Sequence, residues 1–251
     1  MSFREQSREQ MVSPCFIFIC VSSLLWSLRS IMVDNSVTLS VDTDGLLWSS
    51  LLSFIPFSDK IFIAGSAATW LSERAVFGCD PDWSPGDIDV FICHNDFLFV
   101  SIVNALIIRH FCTDGFIVVR RCGIIDVKVM SHPNLSFIRC NASLNARAVV
   151  DQFDIDVCRP IVVCVDGNVT VTMTSDVAAN IKNRHMRGDI KKSRQFFMHY
   201  PLSRSLHRLS KYQTRGYSLV SMTFHSVMHV DFPEQESILQ PADFLPLCVK
   251  N

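Results

Sequence analysis

Hydrophobic and polar positions change their period several times along this chain, and each change predicts an element. Ile61-Phe-Ile-Ala64 is a short apolar run that meets Gly65-Ser66, and AATWLSERA behind it has helical spacing. A buried strand turning into a helix is expected there. Asp87-Ile-Asp-Val-Phe-Ile92 alternates and then becomes wholly apolar, as a strand does on entering a buried sheet. Asn95 stands where an N-cap belongs, ahead of the amphipathic run FLFVSIVNALIIRHF. Phe116 to Arg121 and Gly123 to Met130 read as two strands closed by a tight turn at Arg121-Cys-Gly123. Leu144 to Gln152 is expected to be helical and Phe153 to Val165 a long strand. Asp166-Gly-Asn168 turns that strand into a second one, VTVTM, and Thr174-Ser-Asp176 caps a helix. Near the start, Thr43-Asp44-Gly45 caps a helix over LLWSSLLSF that Pro56 ends.

The 251 residues suffice for one large domain with a helical appendage, and for a core that needs neither disulfides nor a structural metal. With 49% hydrophobic and 19% charged residues, a disordered tail and a collagen-like fibre are excluded. Ten scattered cysteines, with no CxxC pair, suit buried thiols in a reducing, cytoplasmic compartment. Pro14 to Leu28 is apolar and follows Arg4 and Arg8, as an anchor would. It is shorter than the ~20 residues of a spanning helix, holds three serines and meets Arg29. Residues 1–40 are therefore read as an N-terminal packing or poorly ordered segment, with membrane anchoring as the alternative.

Net charge is −1, yet the charge is divided. Nine acids stand between Asp42 and Asp96 against Lys60 and Arg74, whereas Lys182 to Arg215 holds ten Lys/Arg and one acid, Asp189. Residues 41–175 thus read as an α+β sheet domain bearing carboxylates, and 176–251 as a basic helical segment. Arg184, Arg187, Lys191, Lys192 and Arg194 are expected on one helix. Arg208, Lys211 and Arg215 follow at i, i+3 and i+7, on one face. Such a face suits a triphosphate or a nucleic-acid backbone, or is simply solvated.

Asp87 and Asp89 lie two apart on a strand, so both carboxylates leave the same face. Like charges so placed call for a cation between them, and a divalent metal is the usual one. Gly65-Ser66, at a strand end and a helix start, offers close backbone approach and free N–H groups to a phosphate. Phe153-Asp-Ile-Asp-Val157 repeats the acid-in-apolar-strand design. Carboxylates converging from two strands are what a two-metal phosphoryl-transfer centre uses. No G-x-S-x-G elbow, Walker A loop or G-x-G-x-x-G fingerprint is present.

The order hGS, helix, hDhDh and later hDh resembles the nucleotidyltransferase superfamily that includes DNA polymerase β-like enzymes. GDIDVF, FDIDVC and R-x-x-K-Y-x-x-R-G-Y (Arg208 to Tyr217) resemble a group found in large DNA viruses and phages. The resemblance spans Ile61 to Tyr217. It implies a mixed-sheet nucleotidyltransferase-like core with flanking helices, and transfer of a nucleoside monophosphate from an NTP such as ATP to an acceptor hydroxyl, with pyrophosphate released. It implies Gly65 and Ser66 on the nucleotide phosphates, Asp87 and Asp89 on Mg²⁺ or Mn²⁺, and Asp154 as the third carboxylate. Asp156 and Asp126 are the other candidates for that last place. Lys211 and Arg215 are assigned to the triphosphate. Twenty residues separate Ser66 from Asp87, so the Gly78–Gly86 loop reads as an insertion. The alternative function is a non-catalytic protein of the same fold that binds nucleic acid or a protein through its basic segment. The acceptor is not named by these residues.

Overall fold

The computed structural model describes residues 35–44, 46, 52–111, 116–121, 123–129, 133–190, 202–224 and 237–239. The apolar run from Pro14 to Leu28 and most of the helix expected after Gly45 lie outside them. So do Lys191, Lys192 and Arg194.

The described residues form a mixed α+β structure with a large mixed sheet and few helices. In chain order its strands are β1 (Ser36–Val41), β2 (Ile61–Ala64), β3 (Asp87–Ile92), β4 (Phe116–Arg121), β5 (Ile124–Val129), β6 (Asn134–Arg139), β7 (Ile161–Val165), β8 (Asn168–Thr174), β9 (His185–Ile190), β10 (Ser218–Phe224) and β11 (Ser237–Leu239). Nine of them make one sheet in the order β1-β8-β7-β2-β3-β6-β5-β4-β11. β3 and β6 run parallel, and the other neighbours in that sheet are antiparallel. The helices are α1 (Ser66–Phe77), α2 (Asp96–Phe111), α3 (Ala146–Val150), α4 (Ser175–Lys182) and α5 (Leu202–Thr214).

Local chemistry explains the element ends. Asn95 Oδ1 accepts from Leu98 N at 3.0 Å to start α2, and Thr174 Oγ1 accepts from Val177 N at 3.3 Å to start α4. Asp166 and Gly167 both take positive φ, 51° and 78°, the backbone that a two-residue hairpin between β7 and β8 demands. Side chains alternate across the sheet, so each strand feeds two cores. Ile63, Ile88, Val90, Val127 and Phe137 pack with Phe99, Val103 and Ile107 of α2 on one face. Phe62, Phe91 and Ile138 pack with Val149 and Val150 of α3 on the other.

Three expectations are corrected. First, Phe153 to Val165 is not one strand. Residues 153–160 are irregular with a single 3-10 turn, Asp156–Cys158, and β7 begins at Ile161. Pro160 and buried polar contacts of Asp154 and Asp156 explain the break, because Pro has no N–H for a ladder. Second, the sheet begins at Ser36 rather than beyond residue 40, since β1 pairs with β8. Third, the described residues of the basic segment include strands as well as helices. β9 and β10 form a separate parallel pair joined through α5, the crossover that parallel strands require. Arg184 sits in a turn at φ 53° and Arg187 in β9, so neither is on a helix. β6 was not anticipated, because NLSFIR is too short and mixed to show a period. No described helix is long and apolar enough to cross a membrane.

Candidate active site

Register places the acids. Ala64, Asp89, Ser136 and Asp126 pair directly across β2, β3, β6 and β5. Directly paired residues leave the same face, so Asp89 and Asp126 flank Ser136 on one side of the sheet. Asp87 stands two residues along on that face, opposite Asn134. The neighbouring row, Phe62, Phe91 and Ile138, is buried under α3. The polar row therefore borders the smaller core and remains partly open.

Gly65 and Ser66 close the row on the β2 side. Gly65 has φ 76° and ψ −145°, a backbone region that side chains with a Cβ avoid. A Cβ placed there would lie 3.0 Å from Asp89 Oδ2, so the turn is shaped around that carboxylate. Ser66 Oγ donates to Asp87 Oδ1 at 3.3 Å. On the β5 side, Ser136 Oγ donates to Asp126 Oδ1 at 2.7 Å, and Arg121 Nε lies 3.9 Å from Asp126 Oδ2.

Burial pushes the Asp89 carboxyl up to about 7, and the neighbouring Asp87 charge adds to the rise. Arg208 opposes it, Asp126 raises it further and Lys211 lowers it. Four charged groups from three elements therefore act on this one oxygen pair. The carboxylates demand positive charge that the two cations supply in part.

Asp154 and Asp156 do not share a strand face. Asp154 accepts from Ser205 Oγ at 2.6 Å and from Arg208 Nη1 at 2.9 and 3.0 Å. Asp156 accepts from Val157 N at 2.8 Å, Asn180 Nδ2 at 2.6 Å and Arg187 N at 2.7 Å, which ties the 3-10 turn to α4 and β9. Both are buried anchors outside the Asp89 row. Asp126, whose signal was an acid inside the apolar run IIDVKV, is the one in register with Asp89.

Arg208 and Lys211 of α5 act on Asp89, whereas Arg215 does not join them. α5 ends at Thr214, and the Arg215 guanidinium lies 3.7 Å over the Trp83 ring and 4.9 Å from that of Tyr212. Tyr212 and Tyr217 are core residues: the Tyr212 hydroxyl pairs with Thr69 Oγ1 at 3.0 Å, and the Tyr217 hydroxyl donates to Glu73 Oε1 at 2.7 Å. Glu73 is fully buried and also meets Arg184 Nη1 at 2.5 Å and Trp83 Nε1 at 3.3 Å. Its role was missed in the sequence, although an acid on the buried face of a helix is a readable signal. The Gly78–Gly86 loop thus packs its Trp83 between α1 and the segment after α5.

Among the described residues, no group of three or more His, Cys, Asp and Glu could hold a metal ion as the side chains stand. The donor chemistry of Asp87 and Asp89 nevertheless fits a hard divalent cation: two carboxylates on one strand face, a glycine cradle, and a carboxyl whose ionisation burial and the Asp87 charge oppose and a cation would favour. Compared with known proteins, the chain matches no family model and no curated protein.

Proposed function

We propose that this chain is a metal-dependent nucleotidyltransferase with a polymerase β-like core, moving a nucleoside monophosphate from an NTP to an acceptor hydroxyl. The observation that carries the reading is the row itself, with Gly65-Ser66 against Asp89 and Asp87 at one end and Asp126 in register at the other. Strand order divides the labour. β2 brings the phosphate-holding turn to one side of β3, and β5 brings Asp126 to the opposite side, where the acceptor belongs.

Asp87 and Asp89 would hold Mg²⁺ or Mn²⁺, with Asp126 rather than Asp154 as the third carboxylate. When bound, the metal neutralises the triphosphate and lowers the pKa of the attacking hydroxyl. Ser136 orients Asp126 toward the acceptor, and Arg208 and Lys211 attract the triphosphate from the α5 side. Ser66 holds Asp87 in place, and the α1 start behind Gly65 receives phosphate oxygens, because the Gly65 N–H is itself given to Cys158 O at 3.1 Å.

A second reading, a non-catalytic binder of nucleic acid, is supported by the twenty-residue gap between Ser66 and Asp87. One experiment separates them: each labelled NTP with Mg²⁺ or Mn²⁺, using the protein itself and mixed RNA as acceptors. Label transfer that Asp89→Asn abolishes supports the enzyme. Metal-independent RNA binding without transfer overturns it.

A further inference from the structure

Gly65 holds φ 76° and ψ −145°, a conformation that persists only where the surroundings fix it. Both of its backbone polar groups are engaged. Its N–H donates to Cys158 O at 3.1 Å, and its carbonyl accepts from Thr69 N at 3.0 Å and lies 3.0 Å from Thr69 Oγ1. Thr69 Oγ1 also stands 2.8 Å from Val157 O and 3.0 Å from the Tyr212 hydroxyl. Thr69 and Tyr212 are both buried. One threonine hydroxyl therefore joins the Gly65 turn, the 3-10 turn that receives the Gly65 N–H, and α5.

Chemistry sets the direction of these bonds. A threonine hydroxyl has a single proton, and Gly65 O and Val157 O can only accept. That proton goes to the two carbonyls, so the Tyr212 O–H is the donor to Thr69 Oγ1. A helical threonine divides between two rotamers, and the bond from Tyr212 fixes the one that reaches Val157. The Tyr212 ring is seated independently, edge-on to Trp83 at 6.5 Å and to Tyr217 at 5.6 Å between centroids. Its hydroxyl is thus not needed to hold the ring. We propose that Thr69 and Tyr212 are positioning residues: their hydroxyls form one chain that holds the Gly65 turn in the geometry presenting the first turn of α1 to a triphosphate. This inference rests on the nucleotidyltransferase reading.

The test uses the full chain, with Mn²⁺ and tripolyphosphate as probes, and reads affinity by calorimetry alongside thermal melts. A turn that is correctly set only part of the time lowers apparent affinity by that fraction. Tyr212→Phe deletes one hydroxyl and Thr69→Val replaces one with a methyl, and each should weaken tripolyphosphate binding about five- to tenfold. Mn²⁺ affinity, measured without tripolyphosphate, should stay within about twofold of wild type in both. The double variant should lie within about twofold of either single, because the two hydroxyls belong to one chain. Thr69→Ser keeps the hydroxyl and should bind tripolyphosphate within about twofold of wild type. A merely structural role lowers the melting temperature but leaves the folded protein its wild-type tripolyphosphate affinity, and that result overturns the proposal. So do losses that multiply in the double variant, a Thr69→Ser protein as weak as Thr69→Val, or an equal fall in Mn²⁺ affinity. Should Thr69→Val fail to fold, Tyr212→Phe decides by the same two affinities, since its ring packing is kept. The two ideas fail differently. Wild-type tripolyphosphate binding, with Mn²⁺ present, that is indifferent to Asp87→Asn/Asp89→Asn overturns the nucleotidyltransferase reading and this inference with it. Binding that this pair controls, unchanged in Tyr212→Phe and Thr69→Val, overturns the positioning role alone.

Discussion

Gly65 and Asp89 are in contact across the β2–β3 pair, so closely that a methyl group on Gly65 would stand 3.0 Å from Asp89 Oδ2. With φ at 76°, Gly65 also holds a conformation that an L side chain strains to adopt. Gly65→Ala should therefore cost about 1–2 kcal/mol of stability from the backbone alone. Displacement of Asp89 comes in addition, so nucleotide transfer should fall further than the folded fraction does. Urea unfolding and labelled-NTP transfer, measured on the same preparation, check both. Unchanged transfer in a folded Gly65→Ala protein would refute the contact's functional role.

The three candidates for the last carboxylate should separate cleanly. Asp126→Asn keeps a hydrogen bond to Ser136, so the protein should stay folded while transfer drops by about a hundredfold or more. Asp156→Ala should instead lose stability, by about 2–4 kcal/mol, because two backbone N–H groups and the Asn180 amide lose their acceptor. Thermal melts alongside transfer assays distinguish the two. A folded Asp126→Asn protein with full transfer would return the role to Asp154.

The raised carboxyl of Asp89 has a thermodynamic consequence. Its value in the fold, about 7, lies above the ordinary 3.8, so the fold favours the protonated form. That contribution is present in full below the ordinary value and is lost as pH climbs through about 7. Metal-free Asp89→Asn should accordingly gain melting temperature over wild type at pH 8 and lose that gain toward pH 4. Mg²⁺ needs the ionised form, so its stabilisation of wild type should be larger at pH 8 than at pH 6. Calorimetric scans at several pH values, with and without Mg²⁺, measure both trends. A pH-independent Mg²⁺ shift would place the ion elsewhere.

Lys211 and Arg215 should differ although only three residues separate them in sequence. Lys211 acts on Asp89 from the partly exposed face of α5, so Lys211→Ala should weaken NTP binding with little change in stability. Arg215 is packed over Trp83, and Arg215→Ala should lower the melting temperature through lost stacking worth about 1–2 kcal/mol. Nucleotide titrations and melts on each single variant provide the check. Equal effects on both readouts would contradict the different surroundings of the two side chains.

Much of this site was legible because its signals are local. Alternation in DIDVF sets both carboxylates on one face whatever surrounds the strand. Glycine followed by serine at a strand end predicts the turn that Gly65 makes. Asn95, Thr174 and the Asp166-Gly167 turn were equally readable, since caps and hairpins are satisfied within a few residues.

Partnership across the chain was decided elsewhere. An acid in an apolar run, whether Asp126, Asp154 or Asp156, has the same appearance in sequence. Strand order makes Asp126 the in-register partner of Asp89, while the break before β7 turns Asp154 toward α5 and Asp156 toward β9. Helical spacing put Arg208, Lys211 and Arg215 on one face, but α5 ends one residue before Arg215, and Trp83 from a loop far back in the chain takes its guanidinium. Periodicity and capping depend on a few neighbouring residues and are written in the sequence by itself. Which buried charge meets which partner depends on long-range packing, and the tertiary structure alone settles it, because an unpaired buried charge costs more than the local preferences that would otherwise direct it.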